Sequence, residues 1–480
     1  MLTGGFSSCG EGFLETEYYK GVDATTGLNS VTNVSTALNG TYDRLFNYRF
    51  AGNYAITIGD VPTDIAYWNT LTGHWDDIYT FTFTDTDSYL EYIWEYGYKV
   101  ADNAARVIVG ANNLYANSSD SEKGDLDRIM AEAYALRAYA HLMLTNIYGH
   151  QIKVNGTDYS SELGVVIVDQ PIAAFSEVNR STVGACYEAI LADLRSSLTH
   201  FSAAGGDRGS LNYFGVASVN GLLARTYLYM EEWNEAKQYA QAALDAAGIS
   251  TLTYGNNAYK ALYNSGTSNS ESMFALAITE NQNWSANSCG TLWSTYNFSP
   301  SPKLLALYDE NDCRTSIFEK ASTSTETVPV FNAGKFAHFS SGNSANGTNY
   351  IVNAPEMFLI IAEAELKSST GVFANAQNAL LTVAKRNADI TTVADLPGTA
   401  DALFTFLKDE RARELFQEGM RLWDLRRWGG NADVYAYNAP NVQFTFTNYN
   451  ISNLIFPIPS AEITAGFGVE QNNWASTLPQ

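Results

Sequence analysis

The chain has 480 residues, 46% of them apolar and only 16% charged. That balance supports a large core, as one helical domain with an inserted lobe or as two ordinary domains, and excludes a long disordered chain. With 51 acidic residues against 28 basic ones the net charge is −23, and the densest basic stretch, Arg421 to Arg427, is interleaved with Asp424 and apolar residues, so binding to nucleic acid or to anionic lipid headgroups is disfavoured.

In chain order, Phe6-Ser7-Ser8-Cys9 has the form of small residues leading into the modified cysteine of a bacterial lipoprotein. Too few residues precede Cys9 to hold a charged segment and an apolar one, so the encoded start is expected further upstream. The other cysteines, Cys186, Cys289 and Cys313, form no CxxC with it or with one another, and neither a zinc site nor a redox motif is suggested; a disulfide stays open.

From Ser88 onward helical periodicity dominates. Ser88 to Val109 reads as a helix, and Asp125 to Tyr148 as a second, with a stripe at Ile129, Ala133, Leu136, Tyr139, Ala140, Met143 and Ile147 that Gly149 ends. A third is expected from Ser181-Thr182 to Phe201, with Ser181 as its cap. Val216 to Ala247 reads as a helix-turn-helix broken at Glu231-Glu232; small residues at Ala217, Ala224, Ala236, Ala240 and Ala243 let two helices approach closely, the tetratricopeptide pattern. Residues 250–350 are rich in turn formers and read as a loop-rich lobe laid on the helices. Further helices are expected over Ala354–Ser368, Asn375–Arg386 and Ala400–Trp428.

Chemistry-bearing motifs are few. The sequence holds no GxSxG, HExxH, Walker A loop or GxGxxG. The five histidines are dispersed, and His141 falls in a helix stripe as a packed residue would. No carboxylate pair stands out among the 51 acids, although two of them could converge in space. Asp309 to Asp312 offers oxygen ligands of the kind calcium takes, but a turn is the simpler reading. No cofactor is expected, with a structural cation such as calcium left open. Glu363, in a helix apolar on nearly every side, needs a buried partner, with Arg386 or Arg411 as candidates, or else faces solvent at a helix edge. Glu418 with Arg421, and Asp424 with Arg427, have i,i+3 spacing for pairs on a solvated face.

What remains is aromatic. A sugar presents an apolar C–H face and a hydroxyl rim, so a binder needs flat rings with amide or charged groups at their edge. Two loops offer this. Asp64 to Tyr79 carries Asp64, Tyr67, Trp68, Asn69 and Trp75, and Thr279 to Phe298 carries Trp284, Trp293 and Tyr296. For any one of these tryptophans, core packing competes evenly with ligand contact.

Several blocks, in this order, resemble the SusD/RagB family of nutrient-binding lipoproteins: Cys9–Glu17, ALNGTY at 37–42, AEAYALRAYAHLMLTNIYG at 131–149, LLARTYL at 222–228, APEMFLIIAEAEL at 354–366, DERARELFQEGMRLWDLRRWG at 409–429 and LIFPIPSAEITAGFGVEQNNW at 454–474. The last two are the most specific. A Thr-rich insertion at Thr323 to Thr327 departs from the pattern. The resemblance implies a mainly α protein, a tetratricopeptide-like α-α superhelix with an inserted lobe. Its regions are a lipoprotein start and tether over 1–20, helix pairs over 21–250, the lobe over 251–350 and a C-terminal region over 351–480. It further implies a non-enzymatic surface lipoprotein of the outer membrane, lipidated at Cys9, that binds glycan beside a SusC-like TonB-dependent transporter. Peptide capture and a pure protein-interaction scaffold are the alternatives, and a hydrolase is the weakest of the competing readings.

Overall fold

The computed structural model describes residues 27–479 apart from 265–268, 326–327, 431, 435–437, 440–441 and 444–445; Cys9 and the expected tether lie outside them. Ser30 starts the first helix, α1 (Val31–Phe46), by accepting a hydrogen bond from the Asn33 amide. Val34, Leu38, Tyr42 and Leu45 fall on one face of α1 and are buried. The Asp87 carboxylate caps α2 (Ser88–Tyr115), and a reciprocal Ser119–Glu122 capping box opens α3 (Asp120–Tyr148).

Burial on α3 is wider than its stripe suggests. From Ala135 to Tyr148 every residue is buried, polar ones included, because α2 packs on one side and α4 (Val183–Ala203) on the other. Gly97 of α2 faces Leu144 so closely that a Cβ would stand 2.8 Å from Leu144 Cδ2. Two of the larger polar side chains on this central helix find partners inside the protein: Arg137 forms a two-point pair with Asp193 of α4 at 2.8 and 2.7 Å, and His141 Nε2 accepts from the Val168 amide at 3.1 Å. Burial drives the His141 imidazole down to about 3, so it is neutral and packed, as its position in the helix predicts. Thr182, not Ser181, caps α4: its hydroxyl accepts from the Ala185 amide, while the Ser181 amide is spent on Val165 O.

The pair α5 (Val216–Tyr229) and α6 (Trp233–Ala247) turns at Glu231 and packs through Ala236, Ala240 and Ala243. Across the lobe, α6 also packs on α7 (Ala354–Lys367), which in turn packs on α8 (Phe373–Ala384). The lobe therefore enters and leaves at one place, where strands Ser272–Leu276 and Asn349–Asn353 pair antiparallel. Arg225 of α5 fixes that exit, donating to Ile351 O at 2.6 Å and to both Glu356 oxygens at 2.7 Å. Asp309 and Asp312 are taken by Asn387 and Arg314, so the acidic run is a turn with both its aspartates engaged.

The expected helix over Ala400–Trp428 is two helices, α9 (Ala400–Leu415) and α10 (Arg421–Trp428). Gln417 and Gly419 between them are left-handed, with φ of 66° and 71°, and a Cβ on Gly419 would meet Ile56 O at 2.5 Å. The break turns the Gly419 and Arg421 amides onto the buried Asp60 carboxylate at 3.1 and 3.3 Å. Both helices carry a buried ion network. Arg314 meets Asp312, Glu410 and Glu414; Arg386 meets Glu271 and Glu414; Arg411 meets Asp424.

Two expected pairings change. Glu363 is taken by Arg427 at 2.5 and 2.7 Å and by Trp428 Nε1 at 2.9 Å, rather than by Arg386 or Arg411. Glu418 pairs with Lys335 at 2.5 Å, leaving Arg421 for Asp64. The Asp424–Arg427 pair does form, at 2.8 Å, but buried rather than on a solvated face.

At the C-terminus, the amide of Gln471 clasps Ile458 through its backbone N and O at 2.9 and 2.7 Å, and Asn472 donates to Phe456 O at 2.7 Å. The prolines of Phe456-Pro457-Ile458-Pro459 hold this stretch extended, leaving its free backbone groups for those side chains. Among the described residues no helix is long and apolar enough to cross a membrane.

Candidate functional site

The two ring-rich loops are distant in sequence and adjacent in space. Strand Ala66–Trp68 pairs antiparallel with Phe298–Pro300, placing Trp68 opposite Phe298, so the loop leaving the first strand lies beside the loop entering the second. Asn297 ties them. Its carbonyl accepts from the Asn69 amide at 2.7 Å. Its side-chain oxygen accepts from the Thr72 amide (3.0 Å), the Thr72 hydroxyl (2.9 Å) and Trp68 Nε1 (3.3 Å), and its side-chain NH2 donates to His74 O. Thr70 and Trp75 are held left-handed, with φ of 61° and 64°, conformations costing on the order of 1–3 kcal/mol that persist only where surrounding bonds enforce them.

These constraints line up a row of rings. Buried Trp75 stacks on Tyr89 with centroids 4.4 Å apart and meets Tyr54 edge-on at 5.4 Å. Tyr54 leads to Tyr48 at 5.4 Å, and Tyr48 to Trp284 at 5.6 Å. Trp284 Nε1 donates to Phe46 O at 3.0 Å, which fixes its ring. In the other direction the Tyr89 hydroxyl lies 3.2 Å from His74 Nδ1, and His74 stacks on Tyr296 with the planes only 5° apart. Arg49 sits 4.2 Å over Tyr92 and donates to the Tyr96 hydroxyl at 3.1 Å. Trp284, Tyr48, Tyr92, Tyr89 and Tyr296 are half-buried and His74 is exposed. The result is a ledge of anchored rings with a guanidinium and an imidazole at its edge.

Of the predicted residues, Tyr67, Trp68, Trp284 and Tyr296 keep accessible surface. Four do not, and for them the expectation of direct ligand contact is corrected. Asn69 (0% exposed) is turned inward, and its side-chain oxygen accepts from the Leu71 amide. Trp75 (1%) is the packed base of the ledge, and Trp293 (2%) is wedged edge-on against Phe416 at 5.1 Å. Asp64 (1%) is gripped by Arg421 at 2.7 and 2.8 Å and by Lys303 at 2.7 Å. Burial raises its carboxyl, but these two cations outweigh burial and hold it down at about 2. Of these, Trp75 supports the ledge directly, through its stack on Tyr89. Sequence reasoning missed Tyr48, Tyr89, Tyr92, His74 and Arg49. The i,i+3 spacing of Tyr89 and Tyr92 in the first turns of α2 was the available signal.

Among the described residues no group of His, Cys, Asp and Glu is arranged to hold a metal ion, and the three described cysteines are free and buried. A separate groove of about 530 Å³ is lined by Trp94, Tyr98, Phe175, Glu462 and Phe467 among others; none of the predicted residues lies in it.

Two family models match the chain. One, described as "Starch-binding associating with outer membrane", matches residues 12–228, and the other, the SusD family, matches residues 322–474. No curated protein matches in sequence. Solved structures match over nearly their full length. A candidate sugar-binding protein of Bacteroides vulgatus is 25% identical with a TM-score of 0.81, over 93% of this chain and 99% of that one. A SusD superfamily protein of Bacteroides thetaiotaomicron is 23% identical with a TM-score of 0.80, over 92% and 99%. A SusD-like carbohydrate-binding protein of Bacteroides vulgatus is 20% identical with a TM-score of 0.68, over 87% and 89%. With the helical scaffold, the Gln-Asn clasp on the Pro-Ile-Pro segment and both family models on one chain, the protein belongs to the SusD/RagB family.

Proposed function

We propose that the chain is a non-catalytic glycan-binding protein that captures oligo- or polysaccharide on the ledge formed by Trp284, Tyr48, Tyr92, Tyr89, His74 and Tyr296. The observation carrying this reading is the immobilisation of the rings before any ligand arrives. Trp284 is hydrogen-bonded through its indole, His74 is stacked, and Tyr89 rests on Trp75, so little side-chain entropy is lost on binding. The ring faces suit the C–H faces of pyranoses, and Arg49, His74 and the polar loop edges suit their hydroxyls. The starch-binding description of one family model and the names of the sugar-binding neighbours support the same ligand class.

The finer reading rests on family membership. The protein is anchored to the outer membrane through a lipid on Cys9 and hands glycan to a SusC-like TonB-dependent transporter. Affinity electrophoresis through gels containing a panel of polysaccharides, run beside a reducing-sugar assay, tests the binding step. Retardation by a glycan without release of sugar, weakened by Trp284→Ala, is the expected result. Retention of oligopeptides with no retardation by any glycan would sink it in favour of peptide capture.

A further inference from the structure

A second aromatic cleft, of about 240 Å³, opens where the turn Asn155-Gly156 and the α5–α6 turn at Glu231 meet α7, α9 and α10. Half-buried Trp233 and Trp428 line it together with Phe404 and Lys367. Its rim concentrates left-handed backbone: φ is 46° at Asn155, 84° at Gly156, 55° at Glu231 and 73° at Gly429. The rim is cross-tied as well. The Asn155 amide donates to Arg427 O at 2.9 Å, and the Gly156 amide donates to both Glu231 oxygens at 3.0 Å.

The charges here are sorted. Both acids lining the cleft are engaged, Glu231 by the Gly156 amide and Glu363 by Arg427 and Trp428 Nε1. Two lysines are not: Lys367, which lines the cleft, and Lys408, which reaches the rings of its Phe404 and Trp428. Lys367 Nζ lies 3.7 Å from the centre of the Phe404 ring; Lys408 Nζ lies 5.1 Å from that centre and 5.8 Å from the Trp428 ring. Among the described residues neither ammonium is within 4 Å of a carboxylate, although Asp409 and Glu363 favour the charge on Lys408 from further off. Burial, then the neighbouring Lys367, pushes the Lys408 ammonium below its ordinary value. Two cations gathered at one ring with neither in a salt bridge, in a chain of net charge −23, form a site complementary to an anion.

We propose that this cleft binds an anionic sugar, bearing a carboxylate or a sulfate, with the sugar face on Trp428 or Trp233 and the acidic group between Lys367 and Lys408. The site shares no residue with the ledge and does not depend on it. Calorimetric titration of the full chain with a galacturonic acid oligosaccharide, a sulfated oligosaccharide and a neutral glucan oligosaccharide tests it. The expected result is binding of at least one of the two acidic probes, weakened by added salt. It falls about tenfold or more in the Lys367→Gln/Lys408→Gln variant, is retained with arginine at both positions, falls in Trp233→Ala and is unchanged in Trp284→Ala. Which acidic probe binds identifies the anion. Failure of both acidic probes to bind, undiminished binding by the double glutamine variant, or loss in Trp284→Ala with the lysine variant unaffected overturns it. None of these results bears on neutral glycan capture at the ledge.

Discussion

The ledge and the helices α9 and α10 divide aromatic and charged residues in opposite ways. Around the ledge, rings reach the surface and the polar groups holding them turn inward: Asn297, Asn69 and Asp64 all serve the loops from below. In α9 and α10, Glu410, Glu414 and Arg427 are buried against partners from other segments, and Arg411 and Asp424 against each other. Residue type alone therefore does not assign a role here. A charge-rich helix with buried ion pairs is structural, and a tryptophan is open to a ligand only where neighbouring bonds hold one of its faces outward.

The contrast breaks most visibly if the buried network is breached. Arg427→Ala leaves Glu363 and Asp424 short of a cation, and an expected loss of about 3–5 kcal/mol would appear in urea unfolding; replacing Arg427 and Glu363 together by methionine should recover much of it. Trp293→Ala and Trp284→Ala, close in sequence, should separate cleanly. The first empties a core position and costs about 3–5 kcal/mol of stability. The second leaves unfolding nearly unchanged and weakens glycan retention by roughly 2 kcal/mol, about thirtyfold, in gel retardation.

Acidity sharpens the contrast between two neighbouring carboxylates. Asp64, held down at about 2, contributes stability that is present above about pH 4 and is lost as pH falls toward 2. Asp60 is pushed up to about 7 by burial, against the pull of the Gly419 and Arg421 amides. Its contribution runs the other way, complete below about pH 4 and lost as pH rises through 7. Asp60→Asn should therefore flatten the decline in unfolding midpoint between pH 4 and 7, and Asp64→Asn should remove part of the acid limb. The smallest effect is expected at the surface. Lys99→Ala breaks an i,i+4 pair with Glu95 whose side chains are both 43% exposed, and the unfolding free energy should change by no more than about 0.5 kcal/mol.

Most of the helical scaffold was legible because a 3.6-residue apolar period survives in each helix, and the Ala-rich face of α6 announces its close neighbours. The break between α9 and α10 was not. Phe404, Leu407, Leu415 and Leu422 keep a helical spacing through Gln417 and Gly419, and the contacts made by the break, Gly419 and Arg421 on the distant Asp60 carboxylate and Gln417 on Lys335 and Ala333, come from far along the chain. The site was half legible. Both loops were identifiable from their rings, yet which rings face outward depends on Asn297 reaching Thr72 and Trp68, contacts 225 and 229 residues apart in sequence. Tyr48, Tyr89 and Tyr92 sit in or beside helices where a packed tyrosine is the ordinary expectation.

The Asp64 carboxylate gives the protein an order of assembly. Its cations arrive 239 and 357 residues later in the chain, as Lys303 and Arg421, and loop closure over such spans is entropically unfavourable until the intervening helices have packed. The first ring-bearing loop is thus translated early and locked late. A product terminated before Arg421 would carry every ring of the ledge, yet lack the guanidinium that grips the buried Asp64 carboxylate at the foot of the first ring-bearing loop.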